Sequence, residues 1–495
     1  MSDEAAGSSW VEGSGEPFWS VDPATGQNVW TGNAATAPDV DRAVRAARAA
    51  QEEWAVKPQV QRVAALARFS AQLMQHKATF AKLISSETGK PNWEALGEVE
   101  AMIGKIPLSI EALHQRRGET TSETGGVLSA TRFKPMGVLG VFGPFNMPGH
   151  LPNGHFIPAL LAGNAVVFKP SEMTPGVGQK IAELFAAAKF PPGAIMVVQG
   201  GRETGEAIVR HRDIDGILFT GSVAGGLAIR KMLIDQPGKI LALEMGGNNP
   251  LVVWKAADLK AAAYLTIQSA FITAGQRCSC ARRLIIPEGE EGQAFLDELI
   301  AMMAAIKVGP STDEPEPFMG PVISDSAADR LLASQRELVN KGGKTLVEMR
   351  SAEGQRRAML LPGLIDVTAI SNRPDVEIFG PLLQVIRVPS FEAALAEANR
   401  TSFGLAAGLL SDDQNLWNLF YRKIRAGVIY WNRQTTGGSS ALPFGGLGLS
   451  GNHRPSGFWA VEYCSYPIAT MEKASLSLPT QLSPGISIKR DAEKK

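Results

Sequence analysis

GVLGVFGPFNMPGHLPNGHFIPALLAGNAVVFKP, residues 137–170, decides the fold. GVLGVF (137–142) is a continuous apolar run short enough for a buried strand. GPFNMPG (143–149) is too rich in glycine and proline to be helical, NGHFIPALLAG (153–163) has helical character, and NAVVFKP (164–170) is again a strand. The rhythm repeats to Gly247. The spacing predicts helices at 178–189, 203–211 and 222–235, and strands at 194–200, 215–221 and 239–247. Continuous apolar strands alternating with helices imply a parallel sheet covered on both faces, a doubly wound nucleotide-type α/β domain. After Asn249 the alternation continues less regularly. Helices are expected near 257–273, 291–306 and 325–340, and strands at 283–287, 384–388, 405–410 and 427–431, enough for a second α/β domain. Ahead of Gly137, residues 39–55, 60–76 and 80–88 read as helices around a turn at VDPATGQ (21–27), and the first 16 residues read as flexible. SETGGVLSATRFKP (122–135) reads as a hairpin standing off the body, and the extended tail at 463–479 is placed to pair with it.

At 495 residues the chain exceeds one core, so two or three domains are expected. Hydrophobic residues are 44% and charged residues 20%, values of a globular chain. Lys+Arg and Asp+Glu are 49 each, which argues against nucleic acid or an anionic membrane as partner. No apolar run reaches the length of a membrane span, and MSDEAAGSSW is unlike a signal peptide. Three cysteines cannot form a disulfide framework, and a reducing, cytoplasmic setting is the expectation.

Two of those cysteines, Cys278 and Cys280, lie in AGQRCSCARR (274–283). A structural zinc site needs four ligands, and neither the distant Cys464 nor the unpaired histidines supply them, so no metal is expected. A disulfide across one residue would close a very tight loop. Two readings stay open at this point: small buried packing residues, or a nucleophile activated by Arg277, Arg282 or Arg283 and a base.

Four further stretches bear on the choice. GPFNMPG puts Asn146 in a rigid turn at the carboxyl end of a strand, where α/β proteins place ligands. FKPSE (168–172) offers Lys169 and Glu172 at the next strand end. FTGSVAGG (219–226) is a strand, a glycine turn and a helix, in which backbone can approach a phosphate at a helix N-terminus. LEMGGNNP (243–250) puts Glu244 at the end of an apolar strand.

Taken in order with DPATGQ, ETGKPNWEA (87–95), EIFGP (377–381) and PFGGLGLSG (443–451), these motifs resemble the NAD(P)-dependent aldehyde dehydrogenase family over nearly the full chain. The resemblance implies an enzyme with a cofactor domain (1–117 and 136–246), a catalytic domain (247–445) and a small β arm (118–135 and 463–480) that makes a homodimer or homotetramer. It selects Cys278, two residues after Gln276, as the nucleophile and leaves Cys280 to packing. Glu244 becomes the general base and Asn146 the oxyanion donor. Lys169 and Glu172 become the ribose pair, favouring NAD. Gly221, Ser222, Val223, Ala224, Gly225 and Gly226 form the cofactor turn, and Glu377 and Phe379 hold the nicotinamide ribose and ring.

The C-terminal GNHRPS (451–456), with LPNGH, narrows the resemblance to members that oxidise a small semialdehyde carrying two carboxylates. Arg277, Arg433, His453 and Arg454 are the expected contacts for those carboxylates. A different acidic semialdehyde is the first rival. A Cys–His hydrolase or acyltransferase is a second, and leaves the glycine turn and FKPSE without a role. A non-catalytic protein is a third, against which Cys278, Glu244 and Asn146 argue.

Overall fold

The computed structural model describes residues 9–487. The stretch 137–170 folds as read: a strand at Val138–Phe142, a helix at His150–Ala162 and a strand at Ala165–Lys169, with both strands wholly buried. They lie in a six-stranded, all-parallel sheet. Its order is Trp10–Val11, Ile195–Val198, Ala165–Lys169, Val138–Phe142, Gly216–Gly221, Ile240–Met245. From Val138–Phe142 the chain winds outward on one side, then returns to start again on the other. That reversal leaves a crevice at the carboxyl ends, where ligands of open α/β sheets bind.

The second sheet has seven strands. Their order is Lys344–Val347, Gly363–Asp366, Leu382–Val388, Ala281–Pro287, Asn249–Val253, Ala406–Leu410, Val428–Trp431, parallel except for the first pair. A third sheet carries Thr120–Thr124, Val127–Pro135 and Ser465–Glu472, all antiparallel, so the hairpin and the tail do pair. The tail strand stops at Glu472, short of the expected 479.

Several elements depart from the sequence reading. The flexible reading of the first 16 residues falls partly outside the described residues, and Trp10–Val11 is an edge strand on Ile195–Val198. Its two residues are too few for any periodicity to register. The longest helix, Asn92–Arg116, was not expected. Pro107 sits inside it, and a proline ordinarily argues for a break. The hairpin Pro17–Val21 with Asn28–Asn33, and the strands Asn249–Val253 and Gly363–Asp366, also went unread. The turn at VDPATGQ is the hairpin's connection. Among the described residues no helix is long and apolar enough to cross a membrane.

Packing among the helices that cover the first sheet is centred on aromatics. Phe185 stacks on Phe69 at 3.8 Å between ring centroids and meets Phe156 and Phe190 edge-on. All four rings are buried. Phe185→Ala is expected to cost about 3–5 kcal/mol through the cavity it leaves. Urea unfolding followed by tryptophan fluorescence checks this, and an unchanged midpoint would refute it.

Candidate active site

The carboxyl ends of the first sheet and the near edge of the second enclose a cavity of about 1260 Å³. Asn146, Lys169, Glu172, Gly221, Ser222, Ala224, Gly225, Glu244, Arg277, Cys278, Glu377 and Phe379 all line it, residues spread over more than 230 positions of sequence. Val223 and Gly226 do not. Val223 opens the helix Val223–Met232, and a side chain at Gly226 would run into Met245 Sδ at 2.4 Å. Gly226 therefore serves helix-to-sheet packing.

Cys278 follows an unusual piece of backbone. Thr273, Ala274 and Gly275 are all left-handed, with φ of 57°, 51° and 69°. For the two non-glycines this costs on the order of 1–2 kcal/mol each, so surrounding contacts must hold them. The Thr273 hydroxyl donates to Glu94 and accepts from Arg277 Nε. Gln276 donates to the Thr273 carbonyl at 3.1 Å and accepts the Ile323 amide at 3.0 Å. Asn249 donates to the carbonyls of both Cys278 (2.7 Å) and Cys280 (2.9 Å). At Gly275 a Cβ would lie 2.2 Å from the Gly380 carbonyl oxygen, so EIFGP packs directly against the cysteine loop. Cys280 is fully buried under the loop, whereas Cys278 faces the cavity.

Asn146 is fixed from two sides. Its side-chain amide donates to the Gln276 carbonyl at 2.8 Å, and its own carbonyl accepts from Lys90 Nζ at 2.6 Å. One N–H of that amide is left for a ligand. Lys90 in turn pairs with Glu98 at 2.7 Å, both side chains about 1% exposed. Glu98 also accepts the amides of Gly149 and His150, and Arg277 pairs with Glu94 at 2.9 Å. The first turns of Asn92–Arg116 thus tether the Asn146 turn through Glu98 and the Cys278 loop through Glu94.

Glu244 is 6% exposed. One carboxylate oxygen accepts the Ser456 amide at 3.2 Å and the other is buried without a partner. Burial holds its carboxyl well above the usual range, opposed by the Ser456 bond. Burial also pushes the Cys278 thiol up to about 12, with Glu377, Glu244 and Cys280 adding to the rise and Arg282 opposing it. Arg282, wholly buried, reaches Glu377 at 3.5 Å and lies 5.2 Å from the centre of the Phe379 ring. Glu377 also accepts the Gly247 amide, which ties EIFGP to the Glu244 strand.

The turn at 221–226 has the geometry that can receive a phosphate, glycines leading into a helix N-terminus. Ser222 caps Val223–Met232 by accepting the Gly225 amide, and a side chain at Gly221 or Gly225 would meet the Phe219 ring at 2.6 or 2.9 Å. Lys169 is buried and donates to the carbonyls of Pro170 and Gly200, while Glu172, 3.6 Å away, projects from the strand end with its side chain 56% exposed.

The four expected carboxylate contacts fare differently. Arg277 lines the cavity but is engaged by Glu94 and Thr273. His453 and Arg454 are exposed and border a separate cavity of about 330 Å³ on the other side of Glu244. Arg433 is exposed and lines neither. GNHRPS also secures Glu244: Asn452 bonds both ways with the strand at Leu241 and Leu243, and the Ser456 amide donates to the Glu244 carboxylate. Sequence reasoning assigned no role to Lys90, Glu94, Glu98 or Asn249. A usable signal existed for two of them: Glu94 and Glu98 share the helix face of the apolar Ala95, Val99 and Met102, so they had to be buried and paired.

This chain belongs to the aldehyde dehydrogenase family, whose model matches residues 10–467, and it is an oxidoreductase. It is 52% identical over 477 residues to an N-succinylglutamate 5-semialdehyde dehydrogenase of Chromobacterium violaceum, covering 96% of this chain and 98% of that one. To an enzyme of the same name from Ectopseudomonas mendocina it is 49% identical over 488 residues, 99% and 100% of the two chains. Its fold matches the NADP-dependent glyceraldehyde-3-phosphate dehydrogenase of Bacillus halodurans, solved with NADP, at a TM-score of 0.86. That match has 27% identity and covers 93% and 96% of the chains.

Two outcomes follow from the site. Glu94→Gln leaves Arg277 buried without its anion and is expected to cost about 3–5 kcal/mol, with a matching fall in the melting temperature. An unchanged melting temperature would refute that pairing. With the Cys278 thiol held up near 12, its thiolate fraction in the cofactor-free enzyme grows tenfold per pH unit through the neutral and mildly alkaline range. Alkylation of Cys278 by iodoacetamide should therefore climb from pH 7 to pH 10 without a plateau. Saturation near pH 8 would contradict this.

Proposed function

We propose that this enzyme oxidises N-succinylglutamate 5-semialdehyde to N-succinylglutamate, with NAD preferred over NADP, in arginine breakdown by the succinyltransferase route. The near full-length identity to two relatives of that name carries the substrate assignment. The cavity's chemistry supports it, since it joins a thiol, an unpartnered buried carboxylate and a free amide donor.

The residues fit a nicotinamide dinucleotide: a glycine turn open at a helix N-terminus, and Glu172 beside Lys169 at the next strand end. When bound, that cofactor supplies a cationic acceptor for the hydride leaving the substrate carbon. In the reading proposed, Cys278 Sγ gives its proton to water, which carries it out to solvent, and adds to the aldehyde carbon, giving a thiohemiacetal anion. The developing oxyanion takes the free N–H of Asn146 and the backbone N–H of Cys278, one such donor being worth about 3–4 kcal/mol in the transition state. Loss of hydride leaves a thioester on Cys278. Glu244 then takes a proton from water, the water oxygen bonds to the acyl carbon, the C–S bond breaks with the sulfur taking up the proton held by Glu244, and the acid is released with the thiol restored. Glu244 suits this work because burial has already raised its affinity for a proton. The Glu172 carboxylate favours ribose hydroxyls and repels a 2′-phosphate, the reason for preferring NAD.

NADH formation with synthetic N-succinylglutamate 5-semialdehyde tests the reading. Cys278→Ala should abolish it, and Glu244→Gln should lower kcat by about 10²–10⁴. The acid limb of the wild-type profile should sit well above the ordinary carboxylate range, because the base works only once Glu244 has lost its proton. Full activity of Cys278→Ala would overturn the mechanism, and greater efficiency with an unsuccinylated semialdehyde would overturn the substrate.

A further inference from the structure

With Arg277 engaged by Glu94, and Arg433, His453 and Arg454 outside the main cavity, none of the four expected residues offers the substrate carboxylates a free cation there. One buried cation in the cavity wall has no counter-ion. Lys105, on the inner face of Asn92–Arg116, is 2% exposed and lines the cavity. Its ammonium donates to the Gly457 carbonyl at 2.6 Å, and among the described residues no carboxylate pairs with it. A buried ammonium without an anion is costly, and the usual resolution is a partner. Its pKa, pushed down by burial to about 8, records the same deficit.

The surroundings of Lys105 are shaped as a lobe. Asn92–Arg116 packs on His150–Ala162. Each of these helices has an interior glycine on the cavity wall, Gly97 and Gly154, and a Cβ at either would meet nothing within 4 Å. A glycine inside a helix costs about 1 kcal/mol against alanine. Here two such residues leave space, and that space belongs to the cavity. His150 also borders it, with a buried Nδ1 that has no partner. Glu98, the acidic neighbour, is already neutralised by Lys90 and two amides.

We infer that Lys105, with His150 beside it, forms the subsite for a carboxylate of a dicarboxylic semialdehyde, in a lobe kept open by Gly97 and Gly154. The inference rests on the substrate class proposed above. It assigns specificity to the helix that also tethers the two catalytic loops. A charge-assisted contact to a buried ammonium makes the expected effect of losing it about 10–100-fold.

The test compares kcat/KM for N-succinylglutamate 5-semialdehyde with that for pentanal in wild type, Lys105→Met and Lys105→Arg. Lys105→Met should lower the acidic-to-neutral ratio by about 10–100-fold, with Lys105→Arg recovering part of it. An unchanged ratio would overturn the assignment. So would an equal fall for both aldehydes, which is what a purely structural bond to Gly457 predicts. Calorimetry with N-succinylglutamate and NAD-loaded enzyme separates the two levels. No binding to wild type sinks the substrate class together with the subsite, whereas equal binding to wild type and Lys105→Met sinks the subsite alone. Gly154→Leu fills the lobe without touching the ammonium and should weaken that binding at least tenfold. Unchanged binding to it would remove the ligand from the lobe.

Discussion

Two buried carboxylates in the first turns of one helix, with the cations Lys90 and Arg277 that pair with them, organise the candidate active site. Lys90 and Glu98 hold the turn carrying Asn146, and Glu94 with Arg277 holds the left-handed loop carrying Cys278. Burying such charges stabilises little in itself, since desolvation consumes most of the attraction. What they supply is position. Each ion has several fixed partners, so the two loops have one arrangement in which every charge is satisfied. A hydrophobic replacement would fill the same volume without fixing where the amide of Asn146 lies relative to the thiol.

The centre is also tuned by what it lacks. Burial raises the proton affinity of Cys278, Glu244 and Glu377, the two carboxylates raise that of the thiol further, and Arg282 opposes the rise at the thiol. The empty cavity thus favours the neutral thiol and the neutral acid. An arriving positive charge would reverse that preference, linking ionisation of Cys278 to occupancy of the adjoining crevice. A site that is quiet when empty protects its thiol from stray oxidants.

Much of this was legible in the chain. The strand-turn-helix rhythm from Gly137 to Gly247 placed the parallel sheet, because buried parallel strands leave uninterrupted apolar runs. Gln276, Glu244 and Asn146 were readable from local motifs. The positioning residues were not. Glu94 and Arg277 are 183 positions apart and Asn146 and Gln276 are 130 apart, and no local pattern encodes such a pairing. The helix from Asn92 was missed for a different reason: Pro107 costs one backbone bond, but a helix packed on His150–Ala162 tolerates it. His453 and Arg454 were read as substrate contacts because GNHRPS lies near the site, and they border the smaller cavity beside Glu244. The motif also braces Glu244 through Asn452 and Ser456.

That brace leads straight into the arm. Nine residues after Ser456 the chain enters Ser465–Glu472, the edge strand zipped to Val127–Pro135. Between them, Tyr463 is held by His155 in the helix that follows the Asn146 turn. The segment from 456 to 465 is therefore a ruler of fixed length, clamped at both ends and in the middle. Insertions and deletions that drift freely through the surface loops of such a chain have no room here, because one residue more or less would shift the Ser456 amide away from Glu244 or slip the arm's register.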